Sequence, residues 1–191
     1  MSKKLDRRQI RTKKAITNAF MKLMVEKDIA KITIQEIADL ADINRSTFYL
    51  HFIDIHDVLE YIEKETVTKI FTILKHFDFQ KITFEPYPLL KAITDELNKY
   101  PEFNQFLIGS TASSKFTTKL KNKFKETLTK IYIKEVSPEK KYEIAFATSF
   151  LTAGVLECYE DWVIHNKPIS LDELCTILSQ QITHGTRHIL N

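Results

Sequence analysis

The sequence contains few of the residues that form turns, disulfides and metal sites. Its 191 residues include 3 glycines, 5 prolines and 2 cysteines. A β-sandwich needs turn residues at short intervals and a nucleotide-binding loop needs clustered glycines, so both are disfavoured. Cys158 and Cys175 cannot build a disulfide framework, and a structural zinc site normally takes four Cys or His ligands. We therefore expect an all-α chain with short turns, in which both thiols are buried and unreactive.

Long hydrophobic runs and catalytic constellations are also lacking. The longest stretch without a charged residue is 144–156, and its 13 residues are too few to span a bilayer, which takes about 20. No charged-then-apolar leader opens the chain, so we expect a cytoplasmic protein without a membrane partner. His184 and His188 are four residues apart but lack a third ligand nearby. We find no persuasive nucleophilic triad or carboxylate pair, and we expect no cofactor, no metal and no enzymatic activity.

Positive charge is concentrated at the amino terminus. Residues 1–14 contain seven basic side chains, Lys3 and Lys4 among them, and one acid, whereas the whole chain has a formal net charge of only +3. A basic arm on a slightly acidic body is typical of nucleic-acid-binding proteins. A solvated, frayed terminus explains the charge equally well at this point.

Three helix-start signals follow one another between residues 32 and 59. Residues 10–27 first form an amphipathic pattern. Thr33 and Glu36 then make a capping box, Asn44 offers a second N-cap, and Asp54 offers a third with Asp57 at its N3 position. These signals predict short helices at about 33–40 and 44–51, and a longer helix from 54 to about 76.

The short helix at 44–51 has two contrasting faces. Phe48 and Phe52 lie 40° apart on a helical wheel and are predicted to face the core. Such a short helix, crossed by a capped partner after a tight turn, is a helix-turn-helix whose second helix enters the DNA major groove. A small bundle with a polar surface is the alternative, and the nearby basic arm favours DNA. The outward side chains and their flanks include no acid: Arg45, Ser46, Thr47, Tyr49, Leu50 and His51.

Two segments of this region resemble the DNA-binding domain of the tetracycline-repressor (TetR) family. They are Thr33-Ile-Gln-Glu-Ile-Ala-Asp-Leu-Ala and Asn44-Arg-Ser-Thr-Phe-Tyr-Leu-His-Phe52, and the resemblance covers about residues 8–65. It implies an N-terminal three-helix head and a larger helical body that binds a small molecule and forms a homodimer. We expect domains at 1–60 and 61–191, joined by the helix that begins at Asp54.

The resemblance also assigns roles to individual residues. It implies that Thr47, Tyr49 and His51 contact phosphates and the groove, and that Thr33 contacts a phosphate through its hydroxyl and amide. Arg45 and Ser46 occupy positions that reach base edges. The chain departs from the family pattern at Asp42, where a turn glycine is frequent, and at Ile55, where a lysine is frequent. The full set of predicted DNA contacts is Lys3, Lys4, Thr33, Asn44, Arg45, Ser46, Thr47, Tyr49, Leu50 and His51.

The remainder of the chain is predicted to be helical as well. Helices are expected at 89–100, at 102–107, from 116 to 131, from 138 to 166 and from 170 onward, with loops at 77–88 and 109–114. Residues 144–156 are apolar on all sides, which predicts burial all round. Seven lysines lie between 115 and 134; a solvated helix face is favoured over a second nucleic-acid surface.

The body is expected to supply the dimer interface and an effector pocket. The family resemblance implies that the last two helices pair with their symmetry mates. Trp162, the following His165-Asn166-Lys167 and the Leu-Asp-Glu-Leu start at 171 resemble one C-terminal subtype, some of whose members activate dihydroxyacetone-kinase genes. Core packing is the alternative role for the candidate pocket residues, which are aromatic: Phe71, Tyr87, Phe103, Phe106, Phe146, Phe150, Tyr159 and Trp162.

The function predicted from the sequence is regulation of transcription. A homodimer would bind palindromic double-stranded DNA and act as a repressor that an effector releases. Two alternatives belong to other classes. One is a coactivator whose body binds a partner protein, and the other is a helical enzyme that retains a DNA-binding-like head.

Overall fold

The computed structural model describes residues 2–99, 111–135 and 138–184, with side chains for 7–78, 81–82, 84–99, 117–130 and 139–184. These residues form α-helices and 3₁₀ turns, with no strand among them. The all-α prediction is confirmed. The chain divides into two compact units, Met1–Thr68 and Lys69–Asn191. The predicted domain boundary at residue 60 stays a prediction.

Unit 1 contains three complete helices and the start of a fourth. A 3₁₀ turn at Ile29–Lys31 precedes the second helix. The helices are α1 (Ser2–Glu26), α2 (Ile34–Leu40), α3 (Arg45–Tyr49) and α4 (Ile55–Lys75), and α4 continues into unit 2.

The core of unit 1 forms where the apolar faces of these helices meet. Helix α1 packs on α2, and α2 packs on α3. Full burial of a large apolar side chain stabilises a fold by roughly 1.5–3 kcal/mol. Five large apolar side chains, drawn from all four helices, are 0% exposed: Ile16, Phe20, Ile37, Phe48 and Val58.

Capping interactions fix the starts of α2 and α4 as predicted. The Thr33 amide donates to Glu36 Oε2 at 2.9 Å and the Glu36 amide donates to Thr33 Oγ1 at 3.3 Å. At α4 the Asp57 amide donates to Asp54 Oδ1 at 2.9 Å, and Asp57 Oδ2 accepts from the Ile53 amide. Each bond satisfies an amide that has no partner inside its helix. The prediction for α3 was wrong in one respect, since Asn44 is the N-cap residue but its side chain makes no capping bond.

Helix α1 begins earlier than the sequence pattern predicted. It starts at Ser2 instead of residue 10, so the basic arm lies within the helix from Ser2 onward. Residues 2–9 contain no glycine or proline, and lysine, leucine, arginine and glutamine favour helix. The basic residues of the arm are therefore placed at helical spacing.

In its described residues, unit 2 contains the end of α4 and five further helices. They are α5 (Phe79–Phe84), α6 (Tyr87–Asn98), α7 (Thr111–Glu135), α8 (Lys141–Ile164) and α9 (Leu171–His184). A 3₁₀ turn at Pro138–Lys140 precedes α8. Helix α7 packs on α8, and α9 packs on α5, α6 and α8.

Two predicted loops of unit 2 are largely helical. Segment 77–88 contains α5 and the start of α6, because Pro86 is the N-cap residue of α6 and Pro88 lies in its first turn, where proline fits a helix. Segment 109–114 is helical from Thr111. Residues 109 and 110, and the predicted short helix at 102–107, lie outside the described residues.

The capping box of α9 is formed as predicted. The Ser170 amide and hydroxyl both donate to Glu173 Oε2 at 2.7 Å, and the Glu173 amide donates to Ser170 Oγ at 3.2 Å. Trp162 holds the preceding turn, because its Nε1 donates to the Ile169 carbonyl at 2.8 Å. This arrangement sets the direction in which α9 returns along α8.

The expectation that residues 144–156 are buried all round was wrong for the single chain. Phe146 and Phe150 are 73% and 78% exposed. A Cβ added at Gly154 would have no atom within 4 Å. Apolar composition predicts burial without telling whether the same chain or another covers the residue. None of the helices in the described residues combines the length and apolarity that crossing a membrane requires.

Candidate nucleic-acid interface

The turn between α2 and α3 depends on a left-handed residue. Asp42 has a φ of 54°. The Ile43 amide donates to the Ala38 carbonyl at 3.0 Å and the Asp42 amide donates to the Asp39 carbonyl at 3.2 Å. These two bonds form a Schellman motif, in which glycine usually takes the left-handed position and aspartate can replace it. The departure at Asp42 is therefore compatible with the tight turn that a helix-turn-helix needs.

Helix α3 is anchored on one side by an aromatic cluster. Phe48 is 0% exposed and Phe52 is 3% exposed, as predicted. The ring of Phe52 lies 6.0 Å from that of Phe48 and 5.5 Å from that of Tyr61 in α4. Lys13 of α1 places its ammonium 4.8 Å from the Tyr61 ring centroid. This packing orients α3 and leaves its other side open.

The open side of α3 carries the predicted contact residues. Tyr49 and Leu50 are 48% and 81% exposed. Arg45 and Ser46 are exposed, and Thr47 is half-buried. Asn44 is exposed, and its amide makes no capping bond. The structure thus places these side chains along one short helix whose exposed surface carries donors, acceptors and one apolar contact.

Arg45 and Tyr49 form a pair on this surface. An Arg45 guanidinium nitrogen donates to Tyr49 Oη at 3.1 Å. The guanidinium carbon lies 5.7 Å from the Tyr49 ring centroid. A guanidinium held in place loses less entropy when it forms two hydrogen bonds to a guanine edge. The pair therefore restricts the Arg45 side chain on the exposed surface of α3.

Thr33 is placed differently from the expectation. Its amide and its hydroxyl both donate to Glu36 Oε2, at 2.9 Å and 2.8 Å. Lys27 also forms an ion pair with Glu36. The bonds from Lys27 and Thr33 lower the pKa of Glu36 from 4.5 to about 2. A phosphate contact through the donors of Thr33 would have to displace this carboxylate.

His51 lies at the end of the same surface. It is half-buried. Burial lowers the pKa of its imidazole below 6.5, and the charge of nearby Lys13 adds to this effect. His51 is therefore neutral near pH 7 in the free protein and offers one N–H donor.

Helix α1 adds residues that the sequence interpretation missed. Arg8, Gln9 and Thr12 line an open depression of about 960 Å³ together with Thr47 and His51. Positions 8 and 12 lie on the same face of a helix, which is the signal that identifies them once α1 is known to start at Ser2. Lys3 and Lys4 lie in the first turn of α1, and their side chains are outside the described residues.

Unit 2 contains a second candidate site, an apolar cavity of about 200 Å³. Side chains such as Leu74, Leu89 and Leu128 line it, and the predicted aromatic residues are not among its described lining residues. The aromatic character of these residues predicted that they pack in the core, but it could not predict which of them lie beside the cavity.

The predicted pocket residues lie elsewhere in unit 2. Phe71 packs on Phe124, with ring centroids 5.6 Å apart. Tyr159 and Trp162 are buried against each other at 5.7 Å. Tyr87 donates to Asp172 at 3.1 Å. Phe146 and Phe150 are exposed, and Phe103 and Phe106 lie outside the described residues.

The two cysteines occupy different environments. Cys175 is 0% exposed, whereas Cys158 is exposed. Burial raises the pKa of both thiols, and Asp161 and Glu157 raise that of Cys158 further. The expectation that both are buried was wrong for Cys158, which lies on α8. In the described part of the chain no three His, Cys, Asp or Glu side chains are grouped as a metal site would require.

Two family descriptions match the chain. Residues 16–62 match "Bacterial regulatory proteins, tetR family". Residues 85–184 match "Transcriptional regulator C-terminal region", the group TetR_C_8, over just over half of the 191 residues.

Individual relatives agree with these matches. The HTH-type transcriptional regulator YxbF of Bacillus subtilis (strain 168) is 36% identical over 69 residues, which are 36% of this chain and 18% of that protein. The match thus spans less than a fifth of that relative's length.

Solved structures resemble the whole fold. The dihydroxyacetone kinase operon activator DhaS is 21% identical, with a TM-score of 0.66 over 90% of this chain and 93% of that chain. The fatty acid degradation regulator FadR from Bacillus halodurans is 18% identical, with a TM-score of 0.67 over 92% and 96%. At these identities the likeness concerns the fold alone.

Proposed function

Because the chain belongs to the TetR family and is a DNA-binding transcriptional regulator, we propose that it is a repressor that binds a palindromic operator as a homodimer. The observation that carries this proposal is the exposed surface of α3. It carries the Arg45–Tyr49 pair and is held on the opposite side by buried Phe48. Two such helices would lie in successive major grooves, about 34–36 Å apart.

The proposed contacts divide into two kinds. Arg45 and Ser46 read base edges, with Arg45 bidentate to a guanine. Thr47, Tyr49 and His51 contact the backbone or the groove walls, and Asn44 and Leu50 extend this surface. The basic first turns of α1, with Lys3, Lys4 and Arg8, hold phosphates and supply affinity without sequence preference.

The homodimer is supported by the exposed apolar side of the last two helices. Phe146, Phe150 and Ile164 of α8 and Ile177 of α9 are between 44% and 78% exposed. At helical spacing Phe146, Phe150 and Ile164 form one stripe on α8, and an exposed apolar stripe marks an interaction surface. A two-fold pairing of α8 and α9 with their symmetry mates would cover this stripe and give the two recognition helices that a palindrome needs.

An effector is the third part of the proposal. TetR-family regulators act as dimers with small-molecule effectors, and the cavity of unit 2 offers such a molecule a site. Effector binding would favour a state with weaker DNA affinity, with a coupling of about 1–3 kcal/mol. Enzymatic activity has no observation in its favour among the described residues, since no group with a perturbed pKa faces this cavity.

Transcription in vitro tests repression. A promoter that carries an operator recovered by selection should lose activity when the protein is added. The Tyr49→Ala variant, which removes a surface side chain of α3 and leaves Phe48 in place, should leave the promoter active. Increased transcription with the wild-type protein would instead show an activator.

A further inference from the structure

The cavity of unit 2 is lined by side chains from six helices, nearly all of them apolar. Its volume is about 200 Å³, somewhat larger than a cavity of about 150 Å³ that holds benzene. The described lining residues come from α4, α5, α6, α7, α8 and α9, and all are apolar except Thr94 and Thr152. The volume suits a small molecule and not a long chain.

No charged side chain lines the cavity among the residues described. A carboxylate or an ammonium group entering it would lose its hydration without gaining a partner of opposite charge, which is strongly unfavourable. The walls therefore select against ions. They favour a neutral molecule whose surface is mostly hydrocarbon.

The two threonines of the lining differ in their hydrogen bonding. Thr94 is 3% exposed and its Oγ1 donates to the Leu90 carbonyl at 2.8 Å, within its own helix. Thr152 is 8% exposed, and its buried Oγ1 has no hydrogen-bond partner among the described residues. Thr148, one turn earlier in α8, bonds the Ile144 carbonyl at 2.8 Å. Thr152 is thus an exception within its own helix.

A buried hydroxyl without a partner costs free energy in the folded protein. The same hydroxyl becomes useful when a ligand supplies the missing partner. Among the described lining residues, Thr152 is the one polar group that lacks a partner. A ligand could therefore bond to it without breaking an existing hydrogen bond.

We propose that this cavity binds a small, uncharged, largely hydrocarbon molecule with one oxygen atom, and that Thr152 forms the hydrogen bond to that oxygen. The inference rests on the proposed function for its regulatory meaning, because such a molecule would be the effector. Binding itself is independent of DNA and is tested separately.

Three probes with a common ring separate the parts of the proposal. Benzyl alcohol is neutral and has one oxygen, toluene lacks the oxygen, and benzoate is charged. Ligand-observed NMR titration of the full chain should rank benzyl alcohol above toluene. It should show benzoate binding about tenfold or more weakly than benzyl alcohol. Equal or tighter binding of benzoate would overturn the proposal.

A matched pair of variants tests the role of Thr152. Thr152→Val should weaken benzyl alcohol binding roughly five- to tenfold and leave toluene binding unchanged. Thr94→Val removes a hydroxyl that already has a partner in the same wall, so the affinity for both probes should be unchanged. Equal losses of benzyl alcohol affinity in both variants would contradict the assignment.

Thermal denaturation without ligand gives a second readout that does not depend on the probes. Thr152→Val should melt no lower than the wild type, because the lost hydroxyl has no partner, whereas Thr94→Val should melt lower. A clear destabilisation by Thr152→Val would show that its hydroxyl already has a partner, and would overturn the proposal. Loss of DNA binding with intact probe binding would count against the proposed function alone.

Discussion

At the scale of single residues, the account depends on how each polar side chain of unit 1 is already engaged. The Asn44 side chain makes no capping bond, and the amide and hydroxyl of Thr33 both donate to Glu36. The guanidinium of Arg45 donates to the Tyr49 hydroxyl. The sequence pattern named all of these residues. It could not show these differences, because they depend on side-chain geometry that spacing does not determine.

Arg45 is expected to determine specificity at one base position. Arg45→Ala should weaken the binding free energy for the operator with the preferred base by about 1–3 kcal/mol, and by much less for operators with another base there. The reason is that a bidentate contact distinguishes guanine. Competition binding with operators substituted one position at a time measures this. Lys125→Ala, which removes the same charge from α7, is the control. A uniform loss of affinity for all sequences would show that Arg45 contacts phosphate.

His51 is expected to make DNA binding depend on pH. Burial and Lys13 lower the pKa of the free imidazole, and a DNA phosphate beside it would raise that pKa. The complex would then bind more protons than the free protein, so affinity should rise as the pH falls from about 7.5 to about 5.5. Fluorescence anisotropy at constant ionic strength should show that the DNA affinity of His51→Gln rises less over this pH range than that of the wild type. The same pH slope in both proteins would contradict the phosphate contact.

At the scale of elements, local signals predicted helix starts better than loops. The capping boxes at Thr33 and Ser170 form as expected, because each is complete within four residues. Segment 77–88 was misread, because prolines favour loops but also fit the first turn of a helix. The cavity lining could not be predicted from spacing, because six helices contribute to it.

The capping box of α2 is expected to be sensitive to acid. The folded-state pKa of Glu36 is about 2, below its usual 4.5. This contribution to stability is present above pH 4.5 and is lost as the pH falls toward 2. In thermal denaturation the melting temperature of the wild type should therefore exceed that of Glu36→Gln at pH 7. This difference in melting temperature should narrow below pH 4.5. Glu26→Gln, an exposed change of the same type in α1, should show a smaller difference at pH 7.

At the scale of the whole molecule, residues of α8 that were expected to be buried are exposed in the single chain. This observation leads to the homodimer proposal. The sequence predicted burial for residues 144–156, and the single chain leaves Phe146 and Phe150 exposed. Both statements hold together if a second copy covers this side. The helical fold was predictable from composition and periodicity. Which chain buries these residues was not predictable, because hydrophobicity does not distinguish burial within one chain from burial by a second copy.

A matched pair of phenylalanines tests this interface. Phe150→Glu on α8 should convert the dimer to a monomer and weaken operator binding at least about tenfold, because both half-sites are no longer bound together. Phe84→Glu changes an equally exposed ring, 80% against 78% exposed, on α5. It should leave a dimer. Sedimentation velocity measures the mass of each, and a dimer in both variants would place the interface elsewhere.

The central claim is that α3 reads DNA sequence. Selection of random duplex DNA by the purified chain, followed by binding against salt concentration, tests it most directly. The account predicts a palindrome whose half-sites lie one helical turn or a multiple apart, with an affinity that falls steeply with salt. Tyr49→Ala, with its fold intact, should recover no such sequence. The claim would be contradicted if the wild-type protein enriched no sequence at low salt, or if Tyr49→Ala enriched the same palindrome equally well.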